Sequence, residues 1–340
     1  MRSSTASTGR RLVPLAAALA LVLSACGDDG GDTGGGDAAA GSSSGGAGET
    51  QTVEVGIIPV SDVAILYLGQ EQGFFADRGI ELNFNFGQGG AALVPAVVSG
   101  EYAFGFSGIT SILQAREEGL PVTAIAPTSW SNGEVGGQIN ALIGNDPAIQ
   151  DAGDLEGRTI ALNILNSQVE ALARNSVEVN GGNPDNVNFV EMSLPDAVTA
   201  LGSGDVDAFV CGEPFCTLAL DAGGRVIADN WLDLVPDGVG MSGVYFTTEQ
   251  QIEADPELFA GIQEAILESL DYSREHPDEW RAQITEYTET DPALVARITM
   301  PLFKSEYTEE EYQVAPNKAK EYGILDEVPA ADEFFWEPSS

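Results

Sequence analysis

From Thr52 onward, short runs of β-branched and aromatic residues alternate with stretches whose apolar positions recur every three or four residues. This is the pattern of strands and amphipathic helices in an α/β chain. A first series predicts strand 53–58, a helix near 62–75, strand 81–86, helix 91–98, strand 102–106, helix 110–118 and strand 122–126. A second predicts strand 159–163, helix 167–179, strand 187–191, helix 195–201, strand 206–210, a short helix from Pro214 and strand 226–228. The two series agree in detail, because Val98-Ser99-Gly100-Glu101-Tyr102-Ala103-Phe104 matches Gly202-Ser203-Gly204-Asp205-Val206-Asp207-Ala208. In each, small residues end a helix and an acid precedes the next strand. The ordered recurrence of seven elements predicts two similar, doubly wound lobes.

After Val239 the pattern gives one more strand-like run, 242–247, and then mostly helices. In the longest of these, Leu258, Ile262, Ile266 and Leu270 recur every four residues and make one apolar face that needs a partner. The simplest packing returns this block to the first lobe. Lobe one is then 52–142 plus 239–340, and lobe two is 143–238, inserted through two crossing segments. Two crossings make a hinge, and 140–145 and 238–243 contain Gly that can absorb backbone rotation.

Upstream of Thr52 the pattern changes. Arg2, Arg10 and Arg11 precede an apolar run, 12–23, which is too short to span a bilayer and reads as a secretory signal. It ends Leu23-Ser24-Ala25-Cys26, which resembles the lipobox of bacterial lipoproteins, with residues 1–25 removed and Cys26 lipidated. Residues 26–51 hold ten Gly among Ser, Ala and Asp with no apolar period, the composition of a flexible tether. The expected location is the extracytoplasmic face of the cell membrane, through a lipid anchor.

Composition narrows the function. The 340 residues carry 14 Lys plus Arg against 53 Asp plus Glu, a net charge of −39, which repels phosphate backbones and excludes nucleic acid as a partner. Signal removal takes three Arg and no acid. With only three Lys, the surface resembles that of salt-adapted proteins; an ordinary acidic extracytoplasmic protein is the other reading. One His and three scattered Cys offer no metal cage, and no metal or cofactor is expected.

In open α/β sheets, ligands bind beyond the carboxyl ends of strands, at helix N-termini. Those ends place Ser61, Asp62, Gln88, Gly89, Ser107, Gly108, Thr110, Trp130, Asn132 and Glu134 in the first lobe, and Asn163, Ser167 and Glu213 in the second. Ser, Thr, Asn and Gln donate hydrogen bonds, and Gly lets a ligand approach the backbone. Two readings stay open for several of them. Ser61, Ser107 and Ser167 are ligand contacts or N-caps; Trp130 is an aromatic wall or core; Asp62 is a ligand acid or a helix-start acid. No Arg falls at these mouths, so the carboxylates suit a ligand with N–H donors or a positive charge. Cys211 and Cys216 flank Gly-Glu-Pro-Phe and, in an oxidising compartment, form a disulfide or stay as two buried thiols.

The motifs Gly73-Phe74-Phe75 with Gly79-Ile80-Glu81, Val98-Ser99-Gly100-Glu101, Asp154-Leu155-Glu156-Gly157-Arg158, the 200–208 run and Glu213-Pro214 resemble a known family. It comprises the substrate-binding proteins of ABC importers in the nitrate, sulfonate, taurine and thiamine-precursor group. The resemblance covers the chain from Thr52 onward, although Gly212 stands where an aromatic residue commonly precedes the family's Glu-Pro. It implies a type II periplasmic-binding-protein fold, a monomer without catalytic residues, and capture of a small-molecule solute by closure of two lobes. It also implies delivery to an ABC permease and its ATPase subunit. Two alternatives are a pyrimidine-synthase-like enzyme of the same fold, which would need a Schiff-base lysine, and a binding module feeding a sensor.

Overall fold

The computed structural model describes residues 50–134 and 140–338; the signal segment, Cys26 and nearly all of the tether lie outside them. In chain order the described strands are β1 (Gln51–Ile57), β2 (Ile80–Phe86), β3 (Phe104–Ser107), β4 (Val122–Pro127), β5 (Ala141–Gly144), β6 (Thr159–Leu162), β7 (Asn188–Glu191), β8 (Ala208–Val210), β9 (Arg225–Asp229) and β10 (Val244–Thr248). The helices are α1 (Ala64–Gln72), α2 (Gly90–Val98), α3 (Ile109–Glu117), α4 (Gln168–Val179), α5 (Leu194–Ser203), α6 (Phe215–Asp221), α7 (Asn230–Leu234), α8 (Glu249–Ala254), α9 (Pro256–Glu275), α10 (Pro277–Tyr287), α11 (Pro292–Val295), α12 (Glu309–Glu321) and α13 (Ala331–Phe334). Among the described residues, no helix is long and apolar enough to cross a membrane.

Two mixed five-stranded sheets form, in the orders β2-β1-β3-β10-β4 and β7-β6-β8-β5-β9. In each, three parallel strands are followed by one antiparallel strand delivered by a crossing segment, β10 in the first sheet and β5 in the second. The internal repeat therefore extends to strand order. It extends further: both antiparallel strands shift register after their second residue, at Tyr245/Phe246 and at Leu142/Ile143. The matched Gly100 and Gly204 take φ of +79° and +80° just after α2 and α5, a left-handed turn that glycine adopts without steric cost.

Val53, Val55 and Ile57 of β1 are buried at the centre of the first core. On β2, at the sheet edge, buried Ile80 and Leu82 alternate with exposed Glu81 and Asn83. Asn83 and Asn85 donate to the Glu54 carboxylate at 2.9 and 2.7 Å, keeping that edge polar and unattractive to another strand. The apolar face of α9 finds its partner in α1, where Ile262, Ile266 and Leu270 are buried. Gly69 makes this approach possible, since a Cβ there would lie 1.9 Å from Ser269 Oγ.

Three sequence expectations change. Residues 140–145 hold β5, which pairs with β8 on one side and β9 on the other, so this stretch is bound into a sheet rather than free to rotate. Gln51, assigned to the tether, opens β1 because its N–H donates to the Gly79 carbonyl at 2.8 Å. The C-terminal block reaches both sheets' helices: α12 packs on α3 and on α4, and Ala315 shares a small core with Leu172 and Trp231. Beyond α12 the chain returns to the β4 edge, where Phe335 bridges to Ala124 and the Trp336 N–H donates to the Ala124 carbonyl at 2.8 Å.

The segment entering β10 is tightly fitted. A Cβ on Gly240 would fall 2.0 Å from Cζ3 of fully buried Trp231, a ring with no free space to retreat into. Gly240→Ala is expected to destabilise the protein by about 1–3 kcal/mol through overpacking, read as a lower urea midpoint at unchanged m-value.

Candidate functional site

The carboxyl ends of the parallel strands in both sheets, and the helix starts that follow them, converge on one cavity. The first lobe contributes Ile58, Val60, Ser61 and Asp62 after β1, Gly90 at the start of α2, and Phe106, Gly108 and Ser111 around the start of α3. The second contributes Asn163, Ile164, Ser167, Gln168 and Val169 between β6 and α4, Leu194 at the start of α5, and Val210, Cys211, Gly212 and Glu213 after β8. Asn140 and Ser242, beside the two crossings, complete the wall. The cavity has a volume of about 90 Å³.

The lobes touch around this space. The Ser61 N–H donates to the Glu213 carbonyl at 2.9 Å. Gln168 Nε2 donates to the carbonyls of Met241 and Ser242 at 3.2 and 3.1 Å, tying the first turn of α4 to the chain entering β10.

Two carboxylates dominate the wall. Asp62 opens the short helical turn after β1, and its Oδ1 accepts from the hydroxyls of Ser129 and Ser242, the latter at 3.1 Å. Burial pushes its pKa above the usual carboxylate range, opposed by those two hydroxyls. Glu213 is 2% exposed; its oxygens accept from the Thr217 hydroxyl at 2.7 Å and the Thr217 N–H at 3.1 Å. Burial still raises it to about 7. Neither carboxylate has a Lys, Arg or His partner among the described residues, and none of those types lines the cavity. The loop carrying Glu213 is closed by a disulfide between Cys211 and Cys216, whose Cα atoms are 5.1 Å apart. Among the described residues no cluster of three or more His, Cys, Asp or Glu could hold a metal.

Of the positions read from the sequence, Ser61, Asp62, Gly108, Asn163, Ser167 and Glu213 line this cavity. The others do not. Ser107 is covered by the start of α2, since a Cβ on Gly90 would lie 2.6 Å from its Cα. Thr110 points into the packing of α3 and is fully buried. Gly89 backs onto Asn163 and Ile164 of the other lobe, and Gln88 lies outside the lining. Trp130 is core: it is fully buried and exchanges backbone hydrogen bonds with Leu302 at 2.9 and 3.0 Å. Asn132 turns away to donate to the Met300 carbonyl at 3.3 Å and accepts from the N–H of Glu134, which also misses the cavity.

The N-cap alternative for the serines is not what the structure shows. Ser167 sits at the N-cap position of α4 but its hydroxyl donates backwards to the Ile164 carbonyl at 2.9 Å, and Ser107 donates to the Gly108 carbonyl at 3.1 Å. Gln168, Ser111, Asn140 and Ser242 were not singled out in the sequence. Gln168 lies one residue past a readable helix start, whereas Ser242 is brought in by tertiary folding alone.

A model of the NMT1/THI5-like family matches residues 60–280, a span that begins at Val60 of the cavity wall and takes in every described strand but β1. The chain belongs to the NMT1/THI5-like family. Solved structures of similar fold include the alkanesulfonate-binding protein SsuA from Xanthomonas axonopodis pv. citri bound to MOPS, at 16% identity and a TM-score of 0.68, over 85% of this chain and 99% of that one. The ligand-binding component of an ABC-type import system from Staphylococcus aureus, with zinc bound, matches at 15% identity and 0.72, over 85% and 97%. The periplasmic nitrate-binding protein NrtA from Synechocystis PCC 6803 matches at 14% and 0.68, over 84% of each chain. These likenesses give this family member a periplasmic-binding-protein fold. No curated protein matches the chain in sequence.

Proposed function

We propose that this NMT1/THI5-like protein is the extracytoplasmic solute-capture component of an ABC importer, anchored by lipid on Cys26 and handing its cargo to a permease coupled to an ATPase subunit. The observation that carries this reading is the cavity walled by both lobes, across which Ser61 and Glu213 are hydrogen-bonded. A pocket split between two bodies couples occupancy to their closure, and a closed shape is something a permease can recognise. The similar structures from Xanthomonas and Staphylococcus are named as binding components, which supports the same reading. The pyrimidine-synthase-like alternative would need a Schiff-base lysine in the cavity, and Lys304, Lys318 and Lys320 all lie outside its lining.

Calorimetric titration with sulfonates, nitrate, taurine, pyrimidines and amines, paired with small-angle scattering, tests the proposal. A ligand that binds is expected to shrink the radius of gyration as the open fraction is depleted. Binding with turnover of the ligand, or silence across the whole set with unchanged scattering, counts against capture.

A further inference from the structure

The cavity wall is unbalanced in charge and in hydrogen-bonding sense. Asp62 and Glu213 come from opposite lobes and, among the described residues, neither is paired with a cation. Gln168, 3% exposed, adds a third acceptor. Its Nε2 is committed to two carbonyl oxygens, which fixes the amide orientation and leaves Oε1 buried with no partner among the described residues. A buried acceptor without a donor is costly, and a buried carboxylate without a counter-charge more so. The lobes thus meet around three acceptors, each able to take a further N–H.

We infer, resting on the capture reading above, that the cargo carries a cationic N–H group, an ammonium or amidinium, taken jointly by Asp62 of the first lobe and Glu213 of the second, with Gln168 Oε1 accepting a further N–H. Where both are ionised, like charges from the two lobes oppose closure of the empty protein, and a cation between them converts that repulsion into attraction. Closure therefore selects for cargo of this charge. A quaternary ammonium fits poorly: it has no N–H to give, and Phe106 is the single aromatic side chain in the wall, far from a cage. A simple anion fits poorly too. The helix starts bordering the cavity carry roughly half an elementary charge each, and that of α4 is already answered by Glu170, which accepts from the Asn166 N–H at 2.7 Å. The start of α3 is free to take an acceptor on the same solute but cannot balance two carboxylates.

The test is calorimetric titration of the full chain with ethylammonium, acetamidinium and guanidinium, against tetramethylammonium, ethanesulfonate and nitrate, repeated on Asp62→Asn and Glu213→Gln. At least one N–H cation is expected to bind at least tenfold more tightly than the other three compounds, and each substitution is expected to weaken it about tenfold to a hundredfold. Should a variant fail to unfold cooperatively, the ranking of compounds on the unaltered protein decides. Ethanesulfonate or nitrate binding as tightly as the best cation overturns the inference while capture stands. Cation binding untouched by both substitutions overturns the assignment to these residues. If none of the six binds, the inference falls, and with silence across the wider set above, capture falls with it.

Discussion

Glu213→Gln is expected to make the ligand-free protein more stable than the wild type above pH 7, by about 3 kcal/mol. The sign follows from the proton. Burial lifts the Glu213 carboxyl from an ordinary 4.5 to about 7 in the folded state. Below pH 4.5 the group is protonated whether the chain is folded or not, and its contribution is fully present. Between 4.5 and 7 the unfolded chain releases the proton while the folded protein retains it, so stability falls as pH rises and the loss is complete above 7. Gln has no proton to lose, and its amide can serve both Thr217 groups that the carboxylate now serves. Urea midpoints at pH 4, 6 and 8 should converge at the lowest pH and separate upward. A gap that is constant with pH would show that Glu213 does not titrate in this way. A substitution that stabilises the empty protein while weakening its grip on cargo is the trade expected of a binding group kept at a cost to the fold.

Trp231→Ala should lower stability by about 3–5 kcal/mol, the range for removing a fully buried aromatic side chain. Trp231 is fully buried in α7, in one cluster with Leu172 of α4 and Ala315 of α12, and lies directly under Gly240. Its indole N–H has no partner among the described residues, so the loss is one of packing and cavity formation rather than of a hydrogen bond. Urea unfolding is the measure, and a change below about 1 kcal/mol would mean that the neighbouring helices collapse into the space. Taken with Gly240→Ala, the double substitution should recover part of the overpacking cost, because the clash is with the ring that has been removed.

The sequence made the architecture readable where local signals repeat. Fourteen elements were placed by period alone, and the matched Gly100 and Gly204 show why: each helix must end in a left-handed turn before feeding the third strand of its sheet. Six of the cavity's lining residues were readable for the same reason, since Ser61, Asp62, Gly108, Asn163, Ser167 and Glu213 sit at strand ends followed by helices. The rule failed at Trp130 and Asn132 because no helix follows β4; the chain instead leaves for the other lobe, and its first residues are drawn into the core beside Leu302 and Met300. Strand β5 was hidden because four residues, Ala141–Gly144, carry too little pattern to be told from a glycine-bearing connection. The roles of Gln168 and Ser242 depend on segments 73 and 74 residues apart meeting, which no local period encodes.

The interleaving of β5 and β10 sets an order of assembly. The second sheet draws all five strands from the unbroken stretch between Ala141 and Asp229, so it has everything it needs once that stretch is available. The first sheet leaves a gap between β3 and β4 that only β10 can fill, more than 100 residues later in the chain. As the chain emerges from N- to C-terminus during synthesis, the second sheet can therefore be complete while β3 and β4 still present edges that await β10.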